Sequence, residues 1–201
     1  MAGSIFGRIG THVTPQQRQV IDATLELAIE IAREGREGRR IGTLFTIGRA
    51  DAVLASSRPL ILDPLSCHPA DVRHIDHPDL RGTIKELAQL DGAFVVSDEG
   101  YFVAACRYLD APTEGLEVPL GLGSRHLAAA AISRLLAIFA VVVSESAVVR
   151  VFDRGALAAE IIPELWLLSR HHTQLRGRVE TQRTEDLAIL TPESPSEPIA
   201  P

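Results

Sequence analysis

The stretch "DGAFVVSDEGYFVAAC", residues 91–106, decides how this chain folds. It contains two apolar runs, 93–97 and 101–106, separated by the turn residues 98–100. Two such runs around a short turn that ends in glycine predict a β-hairpin. Both runs are apolar at nearly every position. Each strand is therefore expected to be covered on both faces, as strands are between layers of helices.

Further strands are predicted on either side of this hairpin. The segment 41–48 is typical of a buried strand, and 138–144 with 147–153 predicts a second strand pair. The segment 58–64 is either a short strand or an extended link. Helical patterns alternate with these runs along the chain. We therefore predict an α/β fold with a mixed central β-sheet flanked by helices.

Four helices are expected. The first begins at Thr14, which can cap it, with Pro15 at the first helical position and Gln17 completing a capping box. Asp79 is expected to cap a second helix through about Leu90. The other two are an Ala-rich helix that ends near residue 136 and a final helix over "ALAAEIIPELWLLSR", residues 156–170.

Composition and charge exclude several classes of function. The 201 residues carry a net charge of −6, so no basic field is available to hold a nucleic-acid polymer. A small anionic ligand is still possible, because one local cluster of donors can hold it. The longest apolar run, near 135–143, is too short to span a bilayer. The two cysteines form no disulfide framework, and we expect a cytoplasmic protein without a membrane partner.

The first candidate motif is Asp91-Gly92-Ala93, where the second helix gives way to the hairpin. An aspartate there can hold a divalent ion or accept a proton. Gly92 and Ala93 keep the neighbourhood small enough for a ligand to lie against the backbone. The alternative is an ordinary turn, because Asp-Gly is common in turns.

The second motif is the start of the Ala-rich helix, "GLGSRHLAAAAISRLL", residues 121–136. The first amides of a helix lack internal partners and attract anions. Ser124 adds a hydroxyl, Arg125 adds a planar fork suited to phosphate oxygens, and His126 adds another donor. This pattern indicates a phosphate cradle. In the alternative, Ser124 only caps the helix and Arg125 is solvated.

The third motif is "VVVSES", residues 141–146, at the end of an apolar strand. Ser144 and Glu145 would emerge at one edge of the sheet, where ligands often bind in open α/β folds. The alternative is a strand that simply turns into solvent. A cluster of Cys67 with three nearby histidines has irregular spacing, so a zinc site there is not expected.

Taken together, the motifs resemble those of the diadenylate cyclase (DAC) family. Its hallmarks are an Asp-Gly-Ala motif and a later Gly-Thr/Ser-Arg-His-Arg motif, which is similar to Gly123-Ser124-Arg125-His126 here. The hairpin, the Ala-rich helix and the Val-Val-Val-Ser strand are also similar to the family, and the resemblance covers residues 41–155. It implies an N-terminal helix and lead-in at 1–40 and a DAC-like nucleotide-binding catalytic domain at 41–168. The polar, proline-rich composition of 169–201 predicts a mobile tail.

The resemblance implies an enzyme that condenses two ATP molecules into cyclic di-AMP and releases two pyrophosphates. Asp91 would bind Mg²⁺ or Mn²⁺ and help to activate the 3′-hydroxyl. Two protomers would meet face to face, as a homodimer or a higher homo-oligomer. The remaining residues implied in nucleotide binding are Gly92 and Ala93 beside the metal, Gly123, Ser124, Arg125 and His126 at the phosphates, Leu109 at adenine, and Ser144 and Glu145 at the ribose–phosphate.

Two positions depart from the family pattern. Leu127 stands where the second motif ends in arginine, and Ser146 stands where a Ser-Glu-Glu sequence often has its last glutamate. These changes leave open an alternative, a DAC-like domain that binds ATP or a dinucleotide as a sensor with little or no turnover. A purely structural α/β domain is disfavoured by the retained Asp91, Gly92, Arg125 and His126.

Overall fold

The computed structural model describes residues 6, 9, 12–60, 62–116, 118–119 and 121–163, and the backbone of 179–183 and 188–192. The chain divides into two compact units, Met1–Pro163 and Glu164–Pro201. In the described part, no helix is long and apolar enough to cross a membrane.

The first unit is built on a seven-stranded sheet with the order β2-β4-β3-β1-β5-β6-β7. β1 and β3 are parallel, and every other neighbouring pair is antiparallel. The predicted mixed sheet flanked by helices is confirmed. The strands are β1 (Thr43–Ile47), β2 (Ser57–Pro59), β3 (Ala93–Val96), β4 (Phe102–Leu109), β5 (Phe139–Val143), β6 (Val149–Asp153) and β7 (Ala156–Ile161).

The predicted hairpin is formed by β3 and β4. Its register shifts between Ala93↔Arg107 and Val95↔Ala104, so β4 carries an extra residue opposite β3. Cys106 lies at this bulge with φ 53°. A bulge bends the strand and increases its local twist. It therefore shapes the sheet directly beside the Asp91-Gly92-Ala93 motif.

The helices are α1 (Pro15–Glu34), α2 (Ala50–Ala55), α3 (Leu80–Leu87) and α4 (Ser124–Leu136), with a 3₁₀ turn at Asp71–Arg73. The capping box of α1 is confirmed, because Thr14 Oγ1 accepts from Gln17 N while Gln17 Oε1 accepts from Thr14 N. The prediction for α3 was partly wrong. Asp79 precedes the helix but makes no side-chain cap, and the helix ends before Leu90, which is 40% exposed.

α4 covers one face of the sheet. Alanines along α4 bring the helix close to the strands, where Ala129, Ala130 and Ile132 pack in one buried cluster with Phe152. α1 packs beside β1, β5 and β6. Every residue of β1, β3 and β5 is buried, which agrees with the buried strands that the sequence predicts.

The predicted final helix at 156–170 is wrong over its first part, since Ala156–Ile161 form β7 and pair with β6. Arg154 and Gly155 both have positive φ, as in a tight hairpin turn, and this turn leads β6 directly into β7. Along β7 exposed and half-buried residues alternate, which is the period of a strand rather than of a helix. Residues 164–170 of the predicted helix lie outside the described residues.

The second unit contains an antiparallel pair, β8 (Val179–Arg183) and β9 (Ala188–Pro192). The sequence analysis did not predict either strand. Mobility of the tail remains a prediction.

Candidate active site

Strand pairing brings the three motifs to one edge of the sheet. Leu44 of β1 is opposite Ala93 of β3, and Thr43 is opposite Val143 of β5. The residues just beyond these pairs are Gly42, the Asp91-Gly92 turn and Ser144-Glu145. Arg125, in the first turn of α4, reaches the same edge. Segments far apart in the sequence therefore form one cluster.

Arg125 lies between two carboxylates. Its Nη2 is 3.3 Å from Asp91 Oδ1, and its Nη1 is 3.6 Å from Glu145 Oε1. The side chain of Arg125 is 38% exposed, whereas those of Asp91 and Glu145 are 87% and 74% exposed. Both carboxylates thus face solvent around a partly covered guanidinium. The alternative of a fully solvated arginine at the helix start is not what the structure shows.

Gly42 is a site residue that sequence reasoning missed. A Cβ added there would lie 2.6 Å from Arg125 Nη1 and 3.4 Å from Glu145 Cγ. The absence of a side chain at residue 42 therefore leaves the space in which the guanidinium lies. The available signal was a glycine directly before a buried strand, where glycine is disfavoured unless something approaches closely.

Gly92 is required for a different reason from the one expected. Its φ is 99°, and an added Cβ would lie 2.7 Å from the carbonyl carbon of Cys106. Its open side is thus filled by the backbone of the β4 bulge. Ala93 is 2% exposed at the start of β3. Both residues therefore position Asp91 by packing against the sheet.

α4 begins without a side-chain cap. Gly123 is at the N-cap, and Ser124 is the first helical residue and is exposed. The alternative in which Ser124 caps the helix is therefore wrong. The Gly123 carbonyl accepts from the amides of His126 and Leu127, at 3.0 and 3.3 Å. The hydroxyl of Ser124 and the first amides of the helix lie beside Arg125, an arrangement that suits an anion.

His126 is buried, with 6% of its surface exposed. Its ring packs edge-on against Phe152, with centroids 6.2 Å apart. Its Nε2 lies 3.4 Å from Nη1 of Arg150, a residue that the sequence analysis did not single out. Burial, and then the cations Arg150 and Arg125, lower the pKa of His126 below its usual value, against an opposing effect of Glu160. The imidazole is thus neutral at neutral pH.

The hydroxyl of Ser144 is engaged in a local turn. Ser144 Oγ donates to the Val148 carbonyl at 2.9 Å and accepts from the Val148 amide at 3.2 Å. It also lies 2.7 Å from Ser146 Oγ. These contacts use the single proton and both lone pairs of the hydroxyl. Ser144 therefore holds the turn that presents Glu145 to Arg125.

Leu109 ends β4, where it pairs with Ser57 of β2. It is half-buried and packs against the apolar cluster beneath α4. Leu122, in the loop before α4, packs against the same cluster. Leu109 thus belongs to an apolar surface, which is compatible with contact to a planar base.

The donor set at this edge fits a hard divalent cation only in part. No group of three or more His, Cys, Asp or Glu residues close enough to hold a metal occurs within the described residues. Asp91 and Glu145 provide two exposed carboxylates on either side of Arg125. Mg²⁺ is commonly held by one or two carboxylates together with substrate phosphates. The residues present fit that mode, in which the substrate completes the coordination.

An α/β domain with a carboxylate–arginine–carboxylate cluster beside a glycine-led helix start is suited to a phosphorylated ligand. The family model described as DisA bacterial checkpoint controller nucleotide-binding, the DAC model, matches residues 30–157, which is more than half of the chain. The chain therefore belongs to the DAC family.

Two curated relatives are similar over most of this chain. A protein named diadenylate cyclase from Methanocaldococcus jannaschii is 44% identical over 154 residues, which are 76% of this chain and 48% of the relative. A protein of the same name from Haloferax volcanii is 41% identical over 148 residues, or 73% of this chain and 54% of the relative. The chain thus spans about half the length of the curated relatives it matches.

Among solved structures, the crystal structure of DacA from Staphylococcus aureus is 21% identical with a TM-score of 0.47. The match covers 79% of this chain and 98% of that one.

Proposed function

We propose that this chain is a diadenylate cyclase domain that condenses two ATP molecules into cyclic di-AMP and releases two pyrophosphates. One observation carries the proposal: Arg125 lies between Asp91 and Glu145 at the sheet edge where α4 begins. The name shared by the two curated relatives supports the same reaction.

Arg125 is the principal phosphate ligand in this proposal. Its planar fork can bind two phosphate oxygens at once, which favours a phosphate over the two separate carboxylates it contacts here. The Ser124 hydroxyl and the first amides of α4 add donors on the same side. When Arg125 binds the triphosphate, Asp91 is released from its 3.3 Å contact and can act on the 3′-hydroxyl.

Mg²⁺ or Mn²⁺ is the cofactor we propose. Asp91 would hold it, with Glu145 as a second carboxylate. The cation would neutralise charge on the phosphoryl group that is transferred. Leu109 would contact adenine, and the turn of Ser144 would lie near the ribose–phosphate.

The reaction requires two copies of the site. Each chain contains one Asp91 and one Arg125, whereas cyclic di-AMP has two phosphodiester linkages. We therefore propose a face-to-face homodimer or a higher homo-oligomer, in which each 3′-hydroxyl lies opposite the α-phosphate bound by the partner. A two-fold axis is the simplest symmetry that satisfies this requirement. A cytoplasmic location is consistent with Cys67 and Cys106, neither of which forms a disulfide.

The test is to measure ATP binding and product formation with the same protein. Calorimetry gives the affinity for ATP with Mg²⁺ or Mn²⁺, and mass spectrometry identifies the product. The proposal predicts binding together with cyclic di-AMP. Binding without product over long incubations would instead identify the sensor alternative, which Leu127 and Ser146 leave open. For a substitution of Arg125 the matched control is Arg58→Ala. Arg58 is an exposed arginine of the edge strand β2 and pairs with Asp110.

A further inference from the structure

Arg150 is a largely buried cation near the start of β6, and the proposed function does not use it. Its side chain is 15% exposed. Strand register places it opposite Glu160 of β7, and its Nε donates to Glu160 Oε1 at 2.6 Å. This hydrogen bond to Glu160 fixes the Nε end of the Arg150 guanidinium, and it therefore also orients the two terminal nitrogens.

The other end of the guanidinium points at His126, where Arg150 Nη1 lies 3.4 Å from Nε2. Arginine is always a cation and has only donors, so Nε2 must present its lone pair to it. A neutral imidazole carries one proton. The contact therefore assigns that proton to Nδ1 of His126, by the logic of the hydrogen-bond network.

Nδ1 of His126 makes no hydrogen bond with the described residues, although it is buried. A buried N–H without an acceptor is costly, and such a group is uncommon unless it has a role. His126 is the third residue of α4 and directly follows Arg125. The orphaned donor thus lies within the first turn of the helix that forms the proposed phosphate cradle.

We propose that Arg150 is a positioning residue that holds His126 in its Nδ1–H tautomer, so that His126 can donate from Nδ1 to an anionic oxygen of the bound nucleotide. The ligand role of His126 in this inference rests on the proposed function. Glu160 in turn fixes Arg150. Glu160, Arg150 and His126 thus form a chain in which each side chain contacts the next.

The electrostatic surroundings agree with a neutral imidazole. The charged groups that affect His126 are Arg150 on β6, Arg125 on α4 and Glu160 on β7. The two cations and burial oppose a second proton on the ring, and Glu160 opposes them only in part. A neutral ring with a fixed tautomer can donate without adding a charge to the site.

The direct test is the tautomer of His126, measured by long-range ¹H–¹⁵N NMR on the whole chain near neutral pH. Wild type is expected to show a protonated Nδ1 and an unprotonated Nε2. Arg150→Met should give a mixture of tautomers, and Arg150→Lys should restore the Nδ1–H form at least in part. Arg154→Met is the matched control, because Arg154 is an exposed arginine in the turn after β6. It should leave the tautomer unchanged.

The second readout separates positioning from a merely structural role. Arg150→Met should weaken ATP binding several-fold near neutral pH, where the neutral ring divides between two tautomers, and the loss should shrink as the pH falls, because a protonated ring donates from both nitrogens. Glu160→Gln should keep the tautomer, because the amide oxygen can still accept from Arg150 Nε, and should lower the pKa of His126 further, because the charge that opposes the two cations is gone. Circular dichroism checks the fold of each variant. If Arg150→Met does not fold, a wild-type ring that carries its proton on Nε2 would still overturn the proposal.

An unchanged Nδ1–H tautomer in Arg150→Met, or a loss of binding that is the same at every pH, would overturn the proposal. If wild type binds ATP but makes no cyclic di-AMP, only the proposed reaction fails. The tautomer and the pH dependence of binding still decide the role of Arg150.

Discussion

Arg125 and Asp91 are 34 positions apart in the chain, and a 3.3 Å contact joins the guanidinium to the carboxylate. The first belongs to the start of α4 and the second to the turn before β3. The contact therefore ties the start of the helix that covers the sheet to the turn that leads into the inner strand β3. In the proposed enzyme this contact holds the two principal catalytic groups together before the nucleotide binds.

Replacing Asp91 with Asn should abolish synthesis of cyclic di-AMP. An amide cannot accept the proton of the 3′-hydroxyl and is a weaker ligand for a hard cation. The side chain is 87% exposed, so the melting temperature should hardly change. Product is measured by mass spectrometry and stability by thermal denaturation. Turnover at the wild-type rate would remove Asp91 from the mechanism.

Replacing Arg125 with Ala should weaken ATP binding, since loss of a hydrogen bond to a charged group typically costs about 1.5–3 kcal/mol. Arg125→Lys should recover only part of the loss, because lysine cannot present a planar fork. Stability should change little, since exposed ion pairs contribute little to folding. Calorimetry that gives the same affinity for ATP in all three proteins would contradict the phosphate cradle.

Gly42→Ala tests the site residue that the sequence did not reveal. The new Cβ would lie 2.6 Å from Arg125 Nη1, which is the mobile end of a side chain and can move away. The fold should therefore survive, while the affinity for ATP falls. Gly82→Ala in α3 is the matched control, because an added Cβ there meets nothing within 4 Å. Equal affinities in both variants would show that the space at residue 42 is not used.

The buried His126 predicts how stability depends on pH. Its folded-state pKa lies below the ordinary value of 6.5. At a pH above about 6.5, His126 is neutral in both the folded and the unfolded chain, so its protonation does not change the stability. As the pH falls below this value, the unfolded chain binds a proton that the folded chain does not, so stability decreases until the folded pKa is reached.

This dependence can be isolated by urea unfolding of wild type and His126→Gln between about pH 5 and pH 8. The difference between the two free energies of unfolding should change with pH below about 6.5 and stay level above it. A difference that is constant over the whole range would show that His126 is protonated equally in both states.

The sequence predicted the parts of the fold that depend on local patterns. The β3–β4 hairpin follows from two apolar runs and a glycine turn, and the start of α1 follows from its capping box. β7 was missed because Ala and Leu are strong helix formers. Pairing with β6 through the Arg154-Gly155 turn overrides that preference.

The site was predicted in its residues but not in its geometry. The three motifs do converge on one edge, but the burial of His126 and the engaged hydroxyl of Ser144 depend on neighbours that are distant in sequence. Gly42 and Arg150 matter only through contacts that strand register creates. For Gly42 the only local signal was a glycine directly before a buried strand, and no pattern within a single segment indicated Arg150.

Assembly gives a further prediction. If two protomers form each product, activity per chain should rise with protein concentration wherever the oligomer is only partly formed. Mixing Asp91→Asn with an excess of Arg125→Ala should then give little cyclic product, because a mixed dimer keeps at most one competent linkage. Activity per chain is followed by product mass and assembly by light scattering. Constant activity at dilutions that contain only monomer would contradict the face-to-face arrangement.

The central claim is tested most directly by the ratio of products that wild type makes from ATP with Mg²⁺ or Mn²⁺. Pyrophosphate and cyclic di-AMP are quantified in the same reaction, with Asp91→Asn as the blank. The account predicts two pyrophosphates for each cyclic di-AMP, and neither product from the blank. Pyrophosphate without any dinucleotide, or cyclic di-AMP formed equally well by Asp91→Asn, would contradict it.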